Sequence, residues 1–400
     1  MKSILAGKKI LFGVSGSIAV YKAAEWVREL VRAETDVRVV MTEAATHFVS
    51  SLTFAGLSGK RVYTGMFEPD AGEEMTHINL ARDCDLFIIA PATAQTIAEL
   101  ACGFADSLLA CLVLACKAKV VVFPAMNSNM FCHAATQKNL TRLGEYGYKV
   151  IEPGQGKLAC GDEGIGRLVD WETARESIIS EFAAKDFQDK TVMITAGPTW
   201  EPFDPARHIS NRSSGKMGYD LARTARQRGA RVILVSGPCS LVPPAGVETV
   251  HVTNARQMQD AVLAQYGSAD IIVMAAAVSD YRPKKPRQQK MKKGVKTMDL
   301  ELVSNPDILK KLGKMRKGRH PLLVGFAAES SNHIQEGKRK LREKKLDLIV
   351  INDILGKDTG FGADTNQLTL LDRDYELEKL PLLTKEECAH MIWDKVAKLL

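Results

Sequence analysis

Three short stretches in the first half of the chain contain side chains that can do chemistry. They hold the imidazole of His77, the carboxamide of Asn127 and the thiol of Cys160. The spacing of the histidines and cysteines suits no metal site, because such sites repeat these residues a few positions apart. An imidazole and a thiol can move protons, and a carboxamide can hold a substrate carboxylate. These residue types permit acid–base chemistry on a substrate that carries a carboxylate. Taken singly, however, a lone histidine is more often a structural residue, and helix capping is the alternative role for Asn127.

Cys160 differs from the other seven cysteines, which are scattered through the chain and are predicted to be structural thiols. Glycines surround Cys160, and this density predicts a mobile flap. A thiol on a closing flap could protonate a carbon intermediate while the flap excludes water. A structural cysteine in a flap is the alternative. The glycines are Gly154, Gly156, Gly161, Gly164 and Gly166.

A second group of polar residues lies in the other half of the chain. Asn211–Gly218 precedes a predicted helix, where serine and glycine residues form a cradle for an anion. It is not a P-loop, because the first glycine of that motif is missing at the required spacing. Residues 282–296 then hold eight basic side chains and no acidic one. A solvated or nucleic-acid-binding run is one interpretation. We favour a loop that closes over a triphosphate, because no aromatic residue follows Tyr281 to stack on bases.

Apolar runs that alternate with helix-length segments must position these groups. The alternation predicts an α/β fold with doubly wound, mostly parallel sheets. The alternation of strands and helices stops after a predicted helix over Glu172–Ala184 and begins again beyond a polar linker at 185–190. We therefore predict two domains, residues 1–186 and 187–400, the second ending in a hairpin. The predicted strands are Ile10–Val14, Asp36–Met41, Asp85–Ala90, Val120–Pro124, Lys149–Ile151, Thr191–Thr195, Val232–Val235, Ile271–Met274, Leu322–Gly325, Leu346–Ile351, Gln367–Leu371 and Glu376–Leu380.

Composition and charge narrow the class of protein. The chain has 400 residues, 46% hydrophobic and 25% charged, as expected of a soluble protein with two or three cores. No apolar stretch reaches the roughly 18 residues that span a membrane. Eight cysteines without CxxC spacing predict reduced thiols in a cytoplasmic protein. The net charge is −3 over residues 1–186 and +10 over 187–400, which predicts anionic ligands in the second half.

Polar turns follow several of the strands in the first half. In Gly13–Ala19, Gly16 lets the backbone approach a phosphate, and Ser17 can bind that phosphate together with helix amides. The turn lacks the three spaced glycines of a dinucleotide site, which favours a mononucleotide such as FMN over NAD. Thr42 and Thr93 follow two further strands, at the edge where such folds bind ligands. Helix capping is the alternative role for each hydroxyl.

These stretches resemble the flavin-dependent cysteine decarboxylases. The matches are His-Ile-x-Leu beginning at His77, Pro-x-Met-Asn ending at Asn127, and Ala-Cys-Gly-Asp around Cys160. One departure is Phe131, where the relatives usually carry tryptophan; because an aromatic side chain is kept, the departure affects packing rather than chemistry. The resemblance implies a flavodoxin-like flavoprotein domain that binds FMN through Gly16, Ser17, Thr42 and Thr93.

The resemblance also implies a chemical sequence. Oxidation of a cysteine thiol to a thioaldehyde gives the electrons left by carbon dioxide a place to delocalise. His77, Asn127 and the flavin serve oxidation and decarboxylation, and Cys160 supplies the last proton. Because the flavin is restored at the end, no nicotinamide cofactor is required.

The second half resembles the phosphopantothenate–cysteine ligases. Asn211 begins a match to Asn-x-Ser-Ser-Gly-x-Met-Gly, and Lys290 begins a match to Lys-x-Lys-Lys. A departure at Trp200, where relatives usually carry arginine, affects local anchoring. The resemblance implies a Rossmann-like domain in which Asn211 assists conversion of an acyl-nucleotide and Lys290 stabilises charge during attack on the α-phosphorus. The residues expected around CTP are Met274, Ala275, Ala276, Asp280, Lys290, Pro306, Asp307, Ile308, Leu309, Phe326, Lys340 and Lys344.

Two expectations for this half have a physical basis of their own. Asn305 is predicted to cap a helix that begins at Pro306. Lys340 and Lys344 lie one helical turn apart and so should face the same ligand. Asp280 is the candidate for a Mg²⁺ site. The residues themselves do not distinguish CTP from ATP, so the identity of the base rests on the resemblance.

Both resemblances in one chain imply a bifunctional enzyme of coenzyme A biosynthesis. It would ligate cysteine to 4′-phosphopantothenate with CTP and then decarboxylate the product to 4′-phosphopantetheine. The alternatives are a flavin-binding regulatory protein and a decarboxylase that acts on a peptide's carboxyl-terminal cysteine. The resemblance further implies homo-oligomers, with trimeric contacts in the first domain and dimeric contacts in the second, together possibly a dodecamer. No nucleic-acid or membrane partner is expected.

Overall fold

The computed structural model describes residues 4–66, 76–157, 161–290, 299–329, 332–353 and 362–400. The chain divides into two compact units, residues 2–183 and residues 184–400. No helix among the described residues is both long and apolar enough to cross a bilayer.

The described residues of the first unit form eight strands. They are β1 (Lys9–Val14), β2 (Asp36–Met41), β3 (Val62–Tyr63), β4 (Leu86–Ala92), β5 (Lys119–Pro124), β6 (Lys149–Val150), β7 (Gly154–Lys157) and β8 (Glu163–Arg167). Helices in the same described ranges accompany these strands. They are α1 (Val20–Arg32), α2 (Glu43–Thr46), α3 (Ser51–Ser58), α4 (Thr76–Arg82), α5 (Ala94–Cys102), α6 (Leu108–Ala115), α7 (Ser128–Cys132), α8 (Ala134–Glu145) and α9 (Trp171–Phe182).

The first sheet is doubly wound and parallel, as predicted. Its strand order is β3-β2-β1-β4-β5-β6, so the winding direction reverses between β1 and β4. Both faces are covered, because alternate residues of β1 enter different cores: Phe12 packs with the residues around Trp26 of α1, and Leu11 packs with those around Leu109 of α6. Such coverage explains the continuous apolar runs in these strands. A separate antiparallel hairpin, β7–β8, follows the sheet.

In the second unit, twelve strands lie within the part of the chain that the structure describes. They are β9 (Thr191–Ala196), β10 (Glu201–Asp204), β11 (Arg207–Ile209), β12 (Arg231–Ser236), β13 (Glu248–His251), β14 (Ile271–Met274), β15 (Tyr281–Pro283), β16 (Leu302–Ser304), β17 (Leu322–Glu329), β18 (Leu348–Asp353), β19 (Thr365–Asp372) and β20 (Leu377–Thr384). Its helices are α10 (Lys216–Gln227), α11 (Ala255–Gln265), α12 (Ile308–Met315), α13 (His333–Glu343) and α14 (Lys385–Leu399).

The second sheet is mixed, with a parallel majority. Its order is β13-β12-β9-β14-β17-β18-β19-β20, and the pairings β18–β19 and β19–β20 are antiparallel. The predicted terminal hairpin is therefore confirmed. Two short antiparallel pairs, β10–β11 and β15–β16, lie outside this sheet and were not predicted. Helices again cover both faces: Ile194 packs towards α10 and α14, and Met193 towards α11 and α12.

Candidate functional site

A cavity of about 460 Å³ lies at the carboxyl edge of the first sheet. This volume is within the range of small-molecule sites, about 300–1,000 Å³. The predicted residues Gly16, Ser17, Thr42 and Thr93 all line it, although they come from loops after three different strands. The full lining is Gly16, Ser17, Thr42, Glu43, Ala44, Thr93, Ala94, Gln95, Thr96, Glu99, Ala125, Met126 and Met130.

Gly16 is required by the close approach of two loops. A Cβ at this position would lie 2.5 Å from the Cβ of Ala44 and 2.8 Å from its carbonyl carbon. Ser15 fixes the opposite side of the turn, because its buried hydroxyl donates to the Pro91 carbonyl over 2.7 Å and accepts from the Thr93 amide over 2.9 Å. The loops after β1, β2 and β4 thus form one wall.

The hydroxyls of this wall also perform the alternative role, helix capping. Thr42 accepts from the amide of Ala45, and Thr93 accepts from that of Thr96, each over 3.3 Å. Ser17 accepts from the amide of Ala19 over 3.3 Å, before α1 begins. The same residues cap helices and line the cavity because the helices that follow parallel strands all begin at the carboxyl edge of the sheet. The three hydroxyls therefore both hold the loops and face the cavity.

Asn127 lies next to this cavity rather than in its lining, at the start of α7. Its Oδ1 accepts from the amide of Asn129 over 2.8 Å, so it is a helix cap. Its Nδ2 lies 3.4 Å from Oδ2 of Asp162 and donates towards it. Asp162 belongs to the predicted Ala-Cys-Gly-Asp stretch, so the structure brings two of the predicted motifs together.

The hairpin β7–β8 is held against the Asn127 loop. The amide of Met126 donates to the Gly166 carbonyl over 3.0 Å, and the hydroxyl of Ser128 donates to the Ile165 carbonyl over 2.7 Å. A Cβ at Gly166 would lie 2.2 Å from the Met126 carbonyl oxygen, and one at Gly164 would lie 2.4 Å from the Ser128 hydroxyl. Glycine density here was predicted to mean mobility. For these two glycines close packing against the Asn127 loop is a separate reason, and the mobility of the flap stays a prediction.

The side chain of His77 and the whole of Cys160, both predicted to be catalytic, lie outside what the structure describes. The backbone of His77 lies in α4, but its side chain is outside what the structure describes. Cys160 also lies outside the described residues, between β7 and β8. Their approach to Asn127 and the cavity stays a prediction.

A second cavity, of about 500 Å³, opens at the carboxyl edge of the second sheet. It is lined by every predicted nucleotide-site residue except Lys290, and also by Asn211. Lys290 is exposed and ends the described part of the basic loop. The lining is Asn211, Ser213–Gly218, Met274–Asp280, Asn305–Leu309, Phe326–Ala328, Lys340, Lys344, Asn352, Gly362, Asn366 and Lys385.

Asn211 connects the loop before α10 to the loop after β14. Its Nδ2 donates to the carbonyls of Ala277 and Val278, each over 3.2 Å. Gly215 precedes α10 in the left-handed region, with φ of 82°, and no side chain caps the helix. The first amides of α10 therefore face the cavity beside Ser213, an arrangement that favours an anion.

The start of α12 differs from the prediction. The helix begins at Ile308, and its cap is Asp307, whose Oδ1 accepts from the amide of Lys310 over 2.9 Å. Asn305 was expected to be the cap, and that is wrong, because its Nδ2 instead donates to the Ser279 carbonyl over 2.8 Å. Asn305 thereby fastens the loop after β14 to the helix that follows.

Basic side chains line the second cavity. Lys344 forms an ion pair with Asp307, 2.9 Å from its Oδ2. Lys216 forms one with Asp364 over 2.5 Å, and this contact lowers the pKa of that carboxyl. Lys385 is buried, and burial followed by the charge of Lys216 lowers its pKa. Burial and the nearby charge of Lys216 disfavour the charged form of Lys385. An anionic ligand in the cavity would stabilise that charge.

Sequence reasoning missed several of these lining residues. Asn352, Asn366 and Lys385 lie in the last third of the chain, and no motif marked them. The Oδ1 of Asn352 is buried, and no described residue is its hydrogen-bond partner. A buried acceptor of this kind is costly, and a ligand donor in the cavity would satisfy it.

Asp280 also lines the cavity, and its side chain is exposed. Among the described residues, no three His, Cys, Asp or Glu side chains are grouped as a metal-binding cluster. A single carboxylate still fits Mg²⁺, which proteins commonly bind through one or two carboxylates and the phosphates of a substrate.

Comparison with known families matches both halves. Residues 2–183 match the model described as Flavoprotein, and residues 187–400 match the DNA/pantothenate metabolism flavoprotein C-terminal domain. The coenzyme A biosynthesis bifunctional protein CoaBC of Bacillus subtilis is 45% identical over 400 residues, covering 99% of this chain and 98% of its own. That of Escherichia coli K12 is 43% identical over 396 residues, covering 98% and 97%.

Solved structures resemble one half or the other. The C-terminal domain of a coenzyme A biosynthesis bifunctional protein CoaBC is 42% identical, with a TM-score of 0.47, covering 54% of this chain and 98% of its own. The FMN-dependent cysteine decarboxylase SpaF is 30% identical, with a TM-score of 0.39, covering 46% and 100%.

The fold and the family matches define a two-part protein, a flavoprotein domain followed by a pantothenate-metabolism domain. Near-complete coverage at more than 40% identity then makes the assignment specific: the chain belongs to the family of coenzyme A biosynthesis bifunctional proteins.

Proposed function

We propose that this protein ligates cysteine to 4′-phosphopantothenate with CTP and decarboxylates the product to 4′-phosphopantetheine. The observation that carries the proposal is the pair of cavities, each at the carboxyl edge of its own doubly wound sheet. Full-length relatives match both halves, which disfavours a regulatory flavoprotein and a peptide decarboxylase, since neither needs a ligase domain. The decarboxylase is assigned to residues 1–186 and the ligase to residues 187–400.

FMN fits the first cavity on three grounds. Gly16 lines it at the strand-to-helix turn, the hydroxyl-bearing residues Ser17, Thr42 and Thr93 line the same space, and its volume suits a mononucleotide. Bound there, FMN would supply a reversible two-electron oxidation at the thiol-bearing carbon of the substrate. The protein supplies orientation, exclusion of water and protons.

Asn127 is proposed to hold the substrate carboxylate. Its Oδ1 is occupied by the cap of α7, which orients Nδ2 towards the hairpin and Asp162. An amide donor fixed in this way can bind a carboxylate without being repelled by it. His77 is proposed to act in the same step, and Cys160 to donate the proton that completes the product.

In the second cavity the carboxylate of 4′-phosphopantothenate is proposed to attack the α-phosphorus of CTP. Pyrophosphate leaves, and an acyl-cytidylate forms. The free amides at the start of α10, with Lys216 and Lys385, stabilise the phosphates by charge and hydrogen bonds. Lys290 supplies further positive charge from the basic loop, and Asp280 is proposed to hold Mg²⁺ with the phosphates.

The amine of cysteine then attacks the acyl carbon, and CMP leaves. Asn211 is proposed to assist this step, since it holds the loops that carry Ala277 and Val278 at the cavity. The remaining proposed contacts to CTP are Met274, Ala275, Ala276, Pro306, Asp307, Ile308, Leu309, Phe326, Lys340 and Lys344.

Oligomers and a cytoplasmic location belong to the same proposal. Met130 lines the first cavity and is exposed, and so are Ile18 and Phe48, which lie one and four residues after the lining residues Ser17 and Ala44. A neighbouring subunit would cover them and complete the cavity. The seven cysteines that the structure describes are free thiols, as expected in a reducing compartment.

The test uses the full-length protein with 4′-phosphopantothenate, cysteine and CTP. We expect a flavin absorbance spectrum, CMP and pyrophosphate in equal amounts, and 4′-phosphopantetheine identified by mass. Supplied 4′-phosphopantothenoylcysteine should be decarboxylated without CTP. Product from cysteine and phosphopantothenate without any nucleotide would contradict the ligase assignment. A folded protein that cannot be loaded with FMN would contradict the decarboxylase assignment.

A further inference from the structure

Two cysteines of the first unit lie in contact, away from its cavity. The Sγ atoms of Cys84 and Cys116 are 3.3 Å apart and share a hydrogen bond. Both side chains are half-buried and therefore reachable by small solutes. They are separated by 31 residues in the sequence, so the fold brings them together.

The pair lies at the opposite edge of the sheet from the proposed flavin site. Cys84 lies two residues before β4 and Cys116 lies three residues before β5, whereas the cavity residues Thr93 and Ala125 follow those strands. Nothing in the proposed chemistry uses these two thiols. Their contact therefore needs an explanation of its own.

The surrounding charges distinguish the two sulfurs. Cys84 stands between Asp83 and Asp85, while Lys117 follows Cys116. The hydrogen bond to Cys116, with burial and the two aspartates, raises the pKa of Cys84. The hydrogen bond from Cys84 lowers the pKa of Cys116 to about 7. The two aspartates beside Cys84 and the lysine beside Cys116 favour the thiolate at Cys116, with Cys84 as the donor in their hydrogen bond.

We propose that Cys84 and Cys116 form a peroxide-reactive dithiol that closes to a reversible disulfide joining the ends of α4 and α6. The Cys116 thiolate attacks hydrogen peroxide, the O–O bond breaks, and a sulfenic acid and hydroxide form. The Cys84 sulfur then attacks the sulfenic sulfur, the S–O bond breaks, and a disulfide and water form. Overall, two thiols are oxidised by two electrons and one peroxide is reduced to two waters.

The experiment treats the reduced full-length protein with a small excess of hydrogen peroxide and maps its thiols by mass spectrometry. Trypsin leaves both cysteines in one peptide, residues 83–117, which also holds Cys102 and Cys111. Cleavage after Glu99 separates Cys84 from the other three, so the two fragments stay together only if Cys84 is linked. We expect linked fragments whose mass is two hydrogens lower, and separation by dithiothreitol.

Serine variants identify the partner and the order of steps. Cys116→Ser should leave Cys84 as a free thiol, and Cys84→Ser should leave a sulfenic acid at Cys116 that dimedone captures. Cys102→Ser, at an exposed cysteine in the same peptide, should form the link as the wild type does. Linked fragments that persist in Cys116→Ser, or peroxide oxidation of Cys102 while the pair stays reduced, would overturn the proposal.

Discussion

The carboxamide of Asn127 and the carboxylate of Asp162 face each other across 3.4 Å, from Nδ2 to Oδ2. Asn127 follows a buried strand of the sheet, and Asp162 lies in the hairpin region that also contains Cys160. The contact links a fixed donor at the sheet edge to the segment proposed to deliver a proton. A shift of the hairpin would therefore change the hydrogen bond that Asp162 accepts from Asn127, the proposed carboxylate-binding group.

The change Asn127→Asp separates capping from substrate binding. Aspartate caps a helix as well as asparagine does, so α7 should be retained, but the N–H donor is lost and a negative charge replaces it. We expect decarboxylase kcat to fall about a hundredfold, the scale for loss of one positioned donor. The measurement is carbon dioxide release from supplied 4′-phosphopantothenoylcysteine, together with the melting temperature.

The matched control is Asn129→Asp, the same chemical change two residues later on an exposed side chain. It should leave decarboxylation within about threefold of wild type. Equal losses in both variants would mean that the local charge, rather than the Asn127 donor, matters.

Gly166→Ala tests the docking of the hairpin. The new Cβ would lie 2.2 Å from the Met126 carbonyl oxygen, at a φ of 140° that side chains rarely adopt. We expect a loss of about 2–3 kcal/mol in local stability, and weaker FMN binding, since Met126 lines the cavity. Gly144→Ala is the control, because that helical glycine has nothing within 4 Å of the added Cβ. Full FMN affinity in Gly166→Ala would show that docking of the hairpin against Met126 does not affect FMN binding.

Much of the fold could be predicted because strands covered on both faces are apolar throughout. Ile271–Met274 was predicted as a strand and β14 has those bounds. The pairs β10–β11 and β15–β16 could not be predicted in this way. Pro202 and Pro283 lie within them, their residues are largely polar, and only contact with a partner strand makes them extended.

The candidate sites were predictable where a motif directly follows a strand, as with Thr42 and Thr93. Lys385 was missed, although Thr384 followed by Glu387 is a capping box that marks the start of a helix. Its position at the cavity depends on β19 and β20 folding back antiparallel beside β18. Asn305 was assigned the wrong role because its carboxamide is bound to Ser279, a contact that sequence patterns do not contain.

Asp220 should make stability depend on pH. This carboxyl of α10 is largely buried, and burial raises its pKa to about 6 although Arg223 opposes the shift. Between about pH 4 and pH 6 the folded protein keeps this proton while the unfolded chain loses it. The free energy of unfolding of the wild type therefore falls as pH rises through this range. Asp220→Asn resembles the neutral form. Its stability should equal that of wild type near pH 4 and exceed it by about 1–3 kcal/mol above pH 7.

The measurement is thermal unfolding of both proteins across this pH window. Asp260→Asn, at an exposed position on α11, serves as the control and should show no such growing difference. A less stable Asp220→Asn at neutral pH would mean that the ion pair with Arg223 outweighs burial.

Lys290→Gln should abolish ligation and leave decarboxylation intact. Lys290 is exposed and lies at the end of the described part of a basic loop, so its removal should not disturb a core. Its proposed task is to stabilise the negative charge that grows at the α-phosphorus, and glutamine removes the charge while keeping a polar side chain that is one bond shorter. We expect ligase kcat to fall by at least about a hundredfold, with turnover of supplied 4′-phosphopantothenoylcysteine within about twofold of wild type.

Lys285→Gln makes the same change at an exposed lysine earlier in the loop and should lower ligase kcat by less than about threefold. Equal effects of the two substitutions would show that the loop acts only through its total charge. Equal loss of both activities in Lys290→Gln would show that the two reactions do not belong to separate halves of the chain.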